Sequence, residues 1–323
     1  MVLGGRPPGR VGHRQGAFVF TANRRIYPPV LLFWQITTFT HMTEPIAIFI
    51  HIPKTAGTTL HGLIWRHYPS DTVYTVDWVA HTLNDLAALD ADQKSRIRIV
   101  TGHIDFGVHA LLPGPHTYFT IVREPTDLVI SYYYYICRAS DHPHHHLATQ
   151  PGMNLEKFMA SKIDASLYNM QTRMLAGKHF ALPPGECSPE LLEIAKQNLH
   201  DHFSVVGLAE EFDTTVLLLR RAFHWRNLFY ARMNVTSRRP AREDLSPHVR
   251  DAIVEANRFD SELYDYTQML FQERIRQYGP EFDGDLRRFQ LYNRLLYPLM
   301  YAYWEGRRRF IMTVRRWFPN FRR

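Results

Sequence analysis

The segment Ile46–Thr59 has the sequence IAIFIHIPKTAGTT. Its opening residues are mostly apolar and rich in isoleucine, and they stop at Pro53, a pattern that predicts a buried strand. A turn of small residues at 56–57 follows, and apolar residues at helical spacing from Leu60 predict a helix. A strand, a tight loop and a helix N-terminus direct backbone N–H groups and the positive end of the helix dipole toward an anion.

Lysine and threonine side chains add a charge and hydroxyl donors to this loop, so the segment predicts a phosphate cradle. The loop is not a Walker A motif, in which lysine follows the last glycine, because Lys54 precedes Gly57 by three residues. The alternative is an ordinary strand-to-helix turn with an incidental lysine. The predicted phosphate contacts are Lys54, Thr55, Ala56, Gly57, Thr58 and Thr59.

The composition is that of a globular chain with a sizeable core, since 45% of its 323 residues are hydrophobic. Its length predicts one large domain or two small ones. The only cysteines, Cys137 and Cys187, exclude a disulfide framework. Their scarcity favours a reducing compartment or indifference to redox conditions, and we expect a cytoplasmic protein.

Charge divides the chain into three parts. The net charge is +7 overall, but residues 286–323 contain ten arginines and one glutamate, and residues 1–44 carry +4. The middle is therefore mildly acidic. We predict a catalytic domain over 45–285, a poorly structured extension over 1–44 and a basic amphipathic helical tail over 286–323. No spanning segment or secretory signal is evident in the extension, and either Met1 or Met42 could be the true start.

Further strands are predicted at Thr72–Val76, Arg96–Ile104 and His116–Arg123, alternating with helices. This alternation predicts an α/β fold with a central parallel sheet flanked by helices. Ligands of such sheets bind beyond the carboxyl ends of the strands. Three of the predicted strands end next to a polar side chain and would bring these side chains to that edge: Lys54, His103 and Arg123.

A second anion-binding element follows Arg123. Glu124 and Pro125 begin a predicted helix, and Ser131 lies about two turns into it. Arginine can grip a phosphate with two hydrogen bonds, and serine adds a short donor beside it. Taken alone, an arginine at a strand end and a serine inside a helix would be structural. Their pairing with the Lys54 loop favours phosphate binding.

Several segments together resemble the PAPS-dependent carbohydrate sulfotransferases, of the heparan sulfate 6-O- and 2-O-sulfotransferase type. PKTAGTT resembles their 5′-phosphosulfate loop, and IVREPTDLVISYYYY resembles the element that holds the 3′-phosphate of PAPS, 3′-phosphoadenylyl sulfate. LYNMQTRMLAG resembles a segment near their acceptor. NRFDSELYDYTQMLFQERI resembles their closing helix, and NVTSRR the loop that folds over the nucleotide. The resemblance covers residues 46 to 279.

The resemblance implies a P-loop-like three-layer fold with PAPS as sulfate donor, a carbohydrate acceptor and no metal. It also makes Thr236 and Arg238 candidate nucleotide contacts. His103, in the Gly102-His103 pair, matches the family's general base, and Lys54 would stabilise the leaving phosphate. His103 could instead be a structural histidine. The weaker candidates for the base are His51, His81 and His109.

Two other functions remain open from the sequence. A nucleotide kinase would need Mg²⁺ ligands, and no Walker B-like aspartate stands at a predicted strand end. A non-catalytic module could use the pocket and the tail to bind acidic glycans or anionic lipid. No nucleic-acid partner is expected.

Four remaining segments carry predictions of their own. The histidine-rich segment 141–146 is predicted to be a surface loop more readily than a metal site. Residues 167–177 and 246–275 are predicted helices, and the polar members of the first, Asn169, Gln171 and Arg173, are either solvated or near an acceptor. The tail, predicted to be broken near Pro298 and Gly306, is either packed on the domain or placed on the inner face of an anionic membrane.

Overall fold

The computed structural model describes residues 44–77, 81–231 and 240–317. Its strands are β1 (Ile46–Ile50), β2 (Val73–Val76), β3 (Ile99–Gly102), β4 (His116–Val122) and β5 (Phe203–Leu208). Its α-helices are α1 (Gly57–His67), α2 (Leu83–Ala88), α3 (Ala91–Arg96), α4 (Pro125–Ile136), α5 (His145–Ala148), α6 (Leu155–Ala160), α7 (Met170–Leu175), α8 (Pro189–His202), α9 (Phe212–Phe223), α10 (Pro247–Ala256), α11 (Arg258–Tyr278) and α12 (Phe282–Trp317).

The described strands form a single parallel sheet in the order β2-β3-β1-β4-β5. Strand β1 lies at its centre, where Ile50 pairs with Gly102 of β3 on one side and with Thr120 of β4 on the other. All residues of β1 are buried, as expected for a strand covered on both faces. The predicted α/β fold with a central parallel sheet flanked by helices is confirmed.

The strand order creates a crevice between β1 and β4. The connection after β1 leads to β2 on one side of the sheet, whereas the connection after β4 leads to β5 on the other side. Neighbouring strands whose following connections diverge leave a gap beyond their carboxyl ends, and ligands of open α/β sheets bind there. The Lys54 loop follows β1 and Arg123 follows β4, so both predicted anion-binding elements border this gap.

Two predicted helices differ in their extent. The segment expected as one helix over 246–275 is divided at Asn257 into α10 and α11, because the Asn257 side chain donates to Leu167 O instead of facing water. Ser246 caps α10 and Pro247 occupies its first turn. Helix α7 occupies only the centre of the segment 167–177, since Asn169 before it has a left-handed backbone with φ 48°.

The predicted break of the tail near Pro298 and Gly306 is wrong, because α12 continues through both residues. A proline removes one N–H to carbonyl bond, and the acceptor four residues earlier is on Arg294, an exposed residue where water can replace the lost donor. The beginning of α12 packs on the domain: Phe282 and Phe289 are buried, and Asn293 accepts from Tyr230 N at 3.0 Å. No described helix is both long enough and apolar enough to cross a bilayer.

Candidate active site

The loop between β1 and α1 has the backbone of an anion-binding turn. Lys54 and Ala56 both have φ 68°, in the left-handed region, although neither is glycine. Ala56 caps α1 without a side-chain hydrogen bond, so no cap side chain occupies the N–H groups of the first turn. Alternation of left-handed and right-handed residues makes a concave array of N–H groups, and strained residues of this kind concentrate at ligand sites.

The threonines of the loop have different environments. Thr55 is fully buried and its hydroxyl donates to Ile52 O at 2.8 Å, so this side chain closes the turn from within. Only the backbone of Thr55 is then suited to the predicted phosphate contact. Thr58 is exposed in the first turn of α1, whereas Thr59 is 6% exposed.

Three histidines cluster against this loop. The ring centroid of His51 lies 4.4 Å from that of His103 and 5.0 Å from that of His61. His61 is held by Thr101 Oγ1, 3.1 Å from its Nε2. The His51 ring also covers Gly57 so closely that a Cβ there would stand 1.9 Å from His51 Nε2. The loop therefore rests on the His51 ring.

His103, directly after β3, has a defined tautomer. Its Nδ1 lies 2.7 Å from the carbonyl oxygen of His51. A carbonyl can only accept a hydrogen bond, so Nδ1 carries the proton and Nε2 keeps the lone pair of the neutral ring. Burial lowers the pKa of His103, an effect partly opposed by the bond to His51 O, which keeps the imidazole neutral near pH 7. These are the properties of a general base.

His51 is also held neutral. Burial, followed by the neighbouring charges of His103, His61 and Lys54, lowers the pKa of His51 well below its ordinary value. Neutrality therefore does not separate His51 from His103; what distinguishes His103 is the bond from its Nδ1 to His51 O, which fixes its tautomer. His109 lies elsewhere, because it stacks at 4.3 Å on His116, which begins β4 at the opposite edge of the sheet. This separates His109 from the predicted site.

Arg123 reaches the Lys54 loop from the adjacent strand. Its Nη1 donates to Lys54 O at 3.0 Å, and its Nε lies 4.0 Å from Glu210 Oε1. The contact joins the ends of β1 and β4, while the bond from His103 to His51 O joins the ends of β1 and β3. The predicted convergence of Lys54, His103 and Arg123 at one sheet edge is therefore present.

Helix α4 lies beside the same loop. The Lys54 ammonium stands 4.6 Å from the ring centroid of Tyr135, a cation–π contact. Ser131 precedes Tyr135 by one turn, which places the two on one face of α4. Ser131 is buried, at 5% exposed.

Two predicted nucleotide contacts, Thr236 and Arg238, lie outside the described residues. Asn169, Gln171 and Arg173 are 4%, 1% and 0% exposed, so the alternative of a solvated helix face is wrong for them. Gln171 bonds the backbone of Arg123, a role that the sequence did not reveal because its partners are far away in the chain. The one indication in the sequence was that these polar residues stand among apolar residues of the segment 167–177.

The histidine-rich segment lies along α4. His145 Nδ1 is 2.9 Å from Ile136 O, and His144 Nε2 is 4.0 Å from Asp164 Oδ2. His145 and His146 begin α5 instead of remaining in a loop. Over 44–77, 81–231 and 240–317, no group of three or more His, Cys, Asp or Glu side chains is arranged to hold a metal ion.

Comparison with known proteins places the chain in a family. A family model described as galactose-3-O-sulfotransferase matches residues 41–297, more than half of the chain. The chain belongs to the galactose-3-O-sulfotransferase family. The match includes the Lys54 loop, His103, Arg123 and Ser131, and it confirms the predicted relationship to carbohydrate sulfotransferases.

Members of the galactose-3-O-sulfotransferase family and heparan sulfate enzymes are both among the similar proteins. Galactose-3-O-sulfotransferase 3 of Bos taurus is 25% identical over 274 residues, 74% of this chain and 59% of the bovine protein. Heparan-sulfate 6-O-sulfotransferase 1 of Homo sapiens is 26% identical over 300 residues, 78% of this chain and 72% of that protein. The chain thus spans less than two thirds of its bovine relative.

One solved structure with similarity to this family member is the mouse sulfotransferase SULT7A1 complexed with PAP. It is 13% identical, covers 68% of this chain and 65% of its own, and has a TM-score of 0.33.

Proposed function

We propose that this chain is a sulfotransferase that moves a sulfuryl group from PAPS to a hydroxyl of a carbohydrate. The observation that carries the proposal is the meeting of the Lys54 loop, His103 and Arg123 at the ends of three neighbouring strands, with the proton of His103 on Nδ1. Family membership supports the same reaction, since the similar proteins are named as galactose and heparan sulfate sulfotransferases.

The residues present fit the donor nucleotide. The N–H groups of the left-handed loop, with the Lys54 ammonium, suit the 5′-phosphosulfate, and Arg123 with Ser131 suits the 3′-phosphate. Thr236 and Arg238 remain further proposed contacts. PAPS supplies the sulfuryl group and a phosphate leaving group.

His103 and Lys54 have complementary parts in the proposed chemistry. His103 Nε2 removes the proton of the attacking hydroxyl as the acceptor oxygen bonds to sulfur. The bond from sulfur to the phosphate oxygen breaks, and its electron pair stays on that oxygen. Lys54 and the loop N–H groups stabilise the negative charge gained there. Imidazolium at His103 then returns its proton to solvent.

The acceptor in this proposal is a sugar hydroxyl of an oligosaccharide, polysaccharide or glycolipid. The names of the relatives make galactosides and heparan sulfate oligosaccharides the first acceptors to test. Incubation of the full chain with ³⁵S-labelled PAPS and a panel of these sugars is expected to give labelled product. The control is the same incubation with the aglycone alone, which has no sugar hydroxyl.

The same assay separates sulfuryl transfer from the kinase alternative. Because Lys54 and backbone N–H groups supply the charge that a kinase takes from Mg²⁺, transfer is expected to continue at an unchanged rate in excess EDTA. Phosphate transfer from ATP that stops in EDTA and returns with Mg²⁺ would contradict the proposal. Binding of acidic glycans without any product from PAPS would instead favour the non-catalytic module.

A second property, binding of an anionic membrane surface, is proposed for the tail. Leu291, Leu295 and Leu299 of α12 are 55%, 63% and 69% exposed and lie four residues apart, so they form an apolar stripe. Arg294 is exposed beside it, and the tail carries nine net positive charges. An apolar stripe with many arginines is typical of interfacial helices. We place the protein in the cytoplasm, with this helix on the inner membrane face, as part of the proposal.

Charge substitution tests the tail without cutting its packed first turns. Replacing Arg307, Arg308 and Arg309 by glutamine should weaken binding to phosphatidylserine vesicles by roughly a hundredfold, since each basic group contributes about 1 kcal/mol. Sedimentation at low and high salt measures this, and salt should weaken wild-type binding as well. The control is a triple glutamine variant of exposed arginines elsewhere, Arg96, Arg226 and Arg276. An equal loss of vesicle binding in both variants, or no loss in the tail variant, rules out the tail arginines as the membrane-binding group.

A further inference from the structure

A buried amide from α7 holds the end of strand β4. Gln171 is 1% exposed, its Oε1 accepts from Arg123 N at 2.8 Å, and its Nε2 donates to Arg123 O at 2.8 Å. The pairing of β4 with β5 ends one residue earlier, at Val122. The Gln171 side chain therefore pairs with the backbone of Arg123 as a neighbouring strand would, and it fixes the residue at which the sheet stops.

Gln171 is itself fixed by a carboxylate from α11. Asp260, 1% exposed, accepts from Gln171 N at 3.1 Å and from Thr172 N at 2.7 Å. The Thr172 hydroxyl donates to the same carboxylate at 2.7 Å. Asp260 thus satisfies the first backbone N–H groups of α7, where a negative group is favourable.

The arrangement is reciprocal, because α7 also supplies a cap for α11. Asn169, just before α7, accepts from Phe259 N at 3.0 Å and from Asp260 N at 3.1 Å. Asn257, just before α11, accepts from Asn169 N at 2.7 Å. Two helix starts that exchange caps hold each other in one position and leave α7 little freedom to carry Gln171 away from Arg123.

The side chain of Arg123 extends from this fixed backbone toward the Lys54 loop. Its Nη1 donates to Lys54 O, so the guanidinium already has a direction and a contact at the predicted nucleotide site. A shift of the Arg123 backbone would displace the guanidinium relative to the Lys54 loop. Misplacement of about 1 Å is enough to lose a hydrogen bond to a phosphate.

We propose that Gln171 is a positioning residue for 3′-phosphate recognition, acting through the backbone of Arg123 and held in turn by Asp260. The inference rests on the proposed function, because it takes Arg123 as the ligand of the 3′-phosphate. Gln171 has no direct contact with the nucleotide in this proposal. Its effect is on the affinity difference between nucleotides that have a 3′-phosphate and those that do not.

The test compares PAP (adenosine 3′,5′-bisphosphate), which has that phosphate, with 5′-AMP, which lacks it. In wild type and variants, calorimetry gives the ratio of the Kd of AMP to the Kd of PAP. Arg123→Ala, the reference, should lower this ratio by about 10- to 150-fold, the range for a hydrogen bond to a charged group. Gln171→Glu should lower it by about tenfold, because a carboxylate accepts from Arg123 N but cannot donate to Arg123 O.

A matched control distinguishes positioning from a general loosening of α7. Asn198 donates to Leu175 O at 2.8 Å, so Asn198→Ala removes a side-chain bond to the other end of the same helix. The ratio should be unchanged in Asn198→Ala. Equal reduction of the ratio in Asn198→Ala and Gln171→Glu overturns the proposal.

Acid provides a rescue that a loss of packing would not show. A buried glutamate has a raised pKa, and its protonated form can donate to Arg123 O. The affinity ratio of Gln171→Glu, divided by the wild-type ratio at the same pH, should therefore rise as the pH falls from about 8 to about 5.5. A pH-independent quotient counts against the proposal.

The outcomes for the two proposals are separable. An unchanged ratio in Arg123→Ala means that the assignment of the nucleotide site fails. A reduced ratio in Arg123→Ala with an unchanged ratio in Gln171→Glu means that only the present inference fails. If Gln171→Glu does not fold, Gln171→Asn, whose shorter amide cannot reach both backbone groups, replaces it with the same expected loss.

Discussion

The His103→Ala variant is expected to bind PAP about as tightly as the wild type, while its turnover with PAPS and a sugar falls by roughly a hundredfold or more. His103 is proposed to act on the proton of the acceptor and not on the nucleotide, so its loss should leave the loop and Arg123 unchanged. Calorimetry with PAP, run beside the sulfate-transfer assay, measures both quantities.

Two controls sharpen this result. His103→Asn keeps a side-chain donor for the His51 carbonyl but offers no basic nitrogen, so it should be as inactive as His103→Ala. His109→Ala removes a histidine at the opposite edge of the sheet and should leave turnover unchanged. An active His103→Ala variant would transfer the role of base to another histidine and leave the nucleotide site in place.

The wild-type pH profile follows from the same residue. Burial lowers the pKa of His103, and a base must be unprotonated to act. Activity should therefore persist as the pH falls through the ordinary histidine value of about 6.5 and decline only below it. Single-turnover rates measured above and below this pH locate the point at which activity declines in acid.

The Gly57→Ala variant is expected to lose 1–3 kcal/mol of folding stability, roughly the cost of overpacking a filled site, together with PAP affinity. The added Cβ would stand 1.9 Å from His51 Nε2 and 2.1 Å from its Cδ2. Gly57 does not need a left-handed backbone, since its φ is not among the positive values, and alanine favours helix. The penalty is therefore entirely steric.

Gly284→Ala provides the matched control. Gly284 lies in the first turn of α12, as Gly57 lies in that of α1, and a Cβ there would meet no atom within 4 Å. This variant should be neutral or gain up to about 1 kcal/mol. In a His51→Ala background, Gly57→Ala should cost much less stability and PAP affinity than it does in wild type, because the ring that the Cβ meets is absent. Thermal unfolding and calorimetry measure the stability and the PAP affinity of each variant. Equal values for Gly57→Ala and Gly284→Ala would contradict the inference that the loop rests on His51.

The elements that carry the site were predictable from local sequence. An isoleucine-rich run predicted β1 as a buried strand, and the turn residues after it predicted the position of Lys54. Strand ends at Gly102 and Val122 placed His103 and Arg123 at the same edge by the geometry of parallel sheets alone.

The parts that sequence could not predict depend on distant partners. Nothing local indicates that Gln171 bonds Arg123, since the two are 48 residues apart. Asn257 ends α10 through contacts with Leu167 and Asn169, and no glycine or proline marks that position. The Thr55 hydroxyl resembled a phosphate ligand in sequence, but the turn itself uses it. Tertiary packing decided each of these cases.

The exchange of caps between α7 and α11 has a consequence for the order in which the protein is made. The bonds that fix α7 join residues 88 to 91 positions apart, from Asn169, Gln171 and Thr172 to Asn257, Phe259 and Asp260. A ribosome releases β1, the Lys54 loop and Arg123 well before it releases Asp260. Closing so long a stretch of chain is slow compared with forming local helices. The bonds that hold Gln171 against Arg123 can therefore form only after α11 has emerged, later than the bonds within the Lys54 loop.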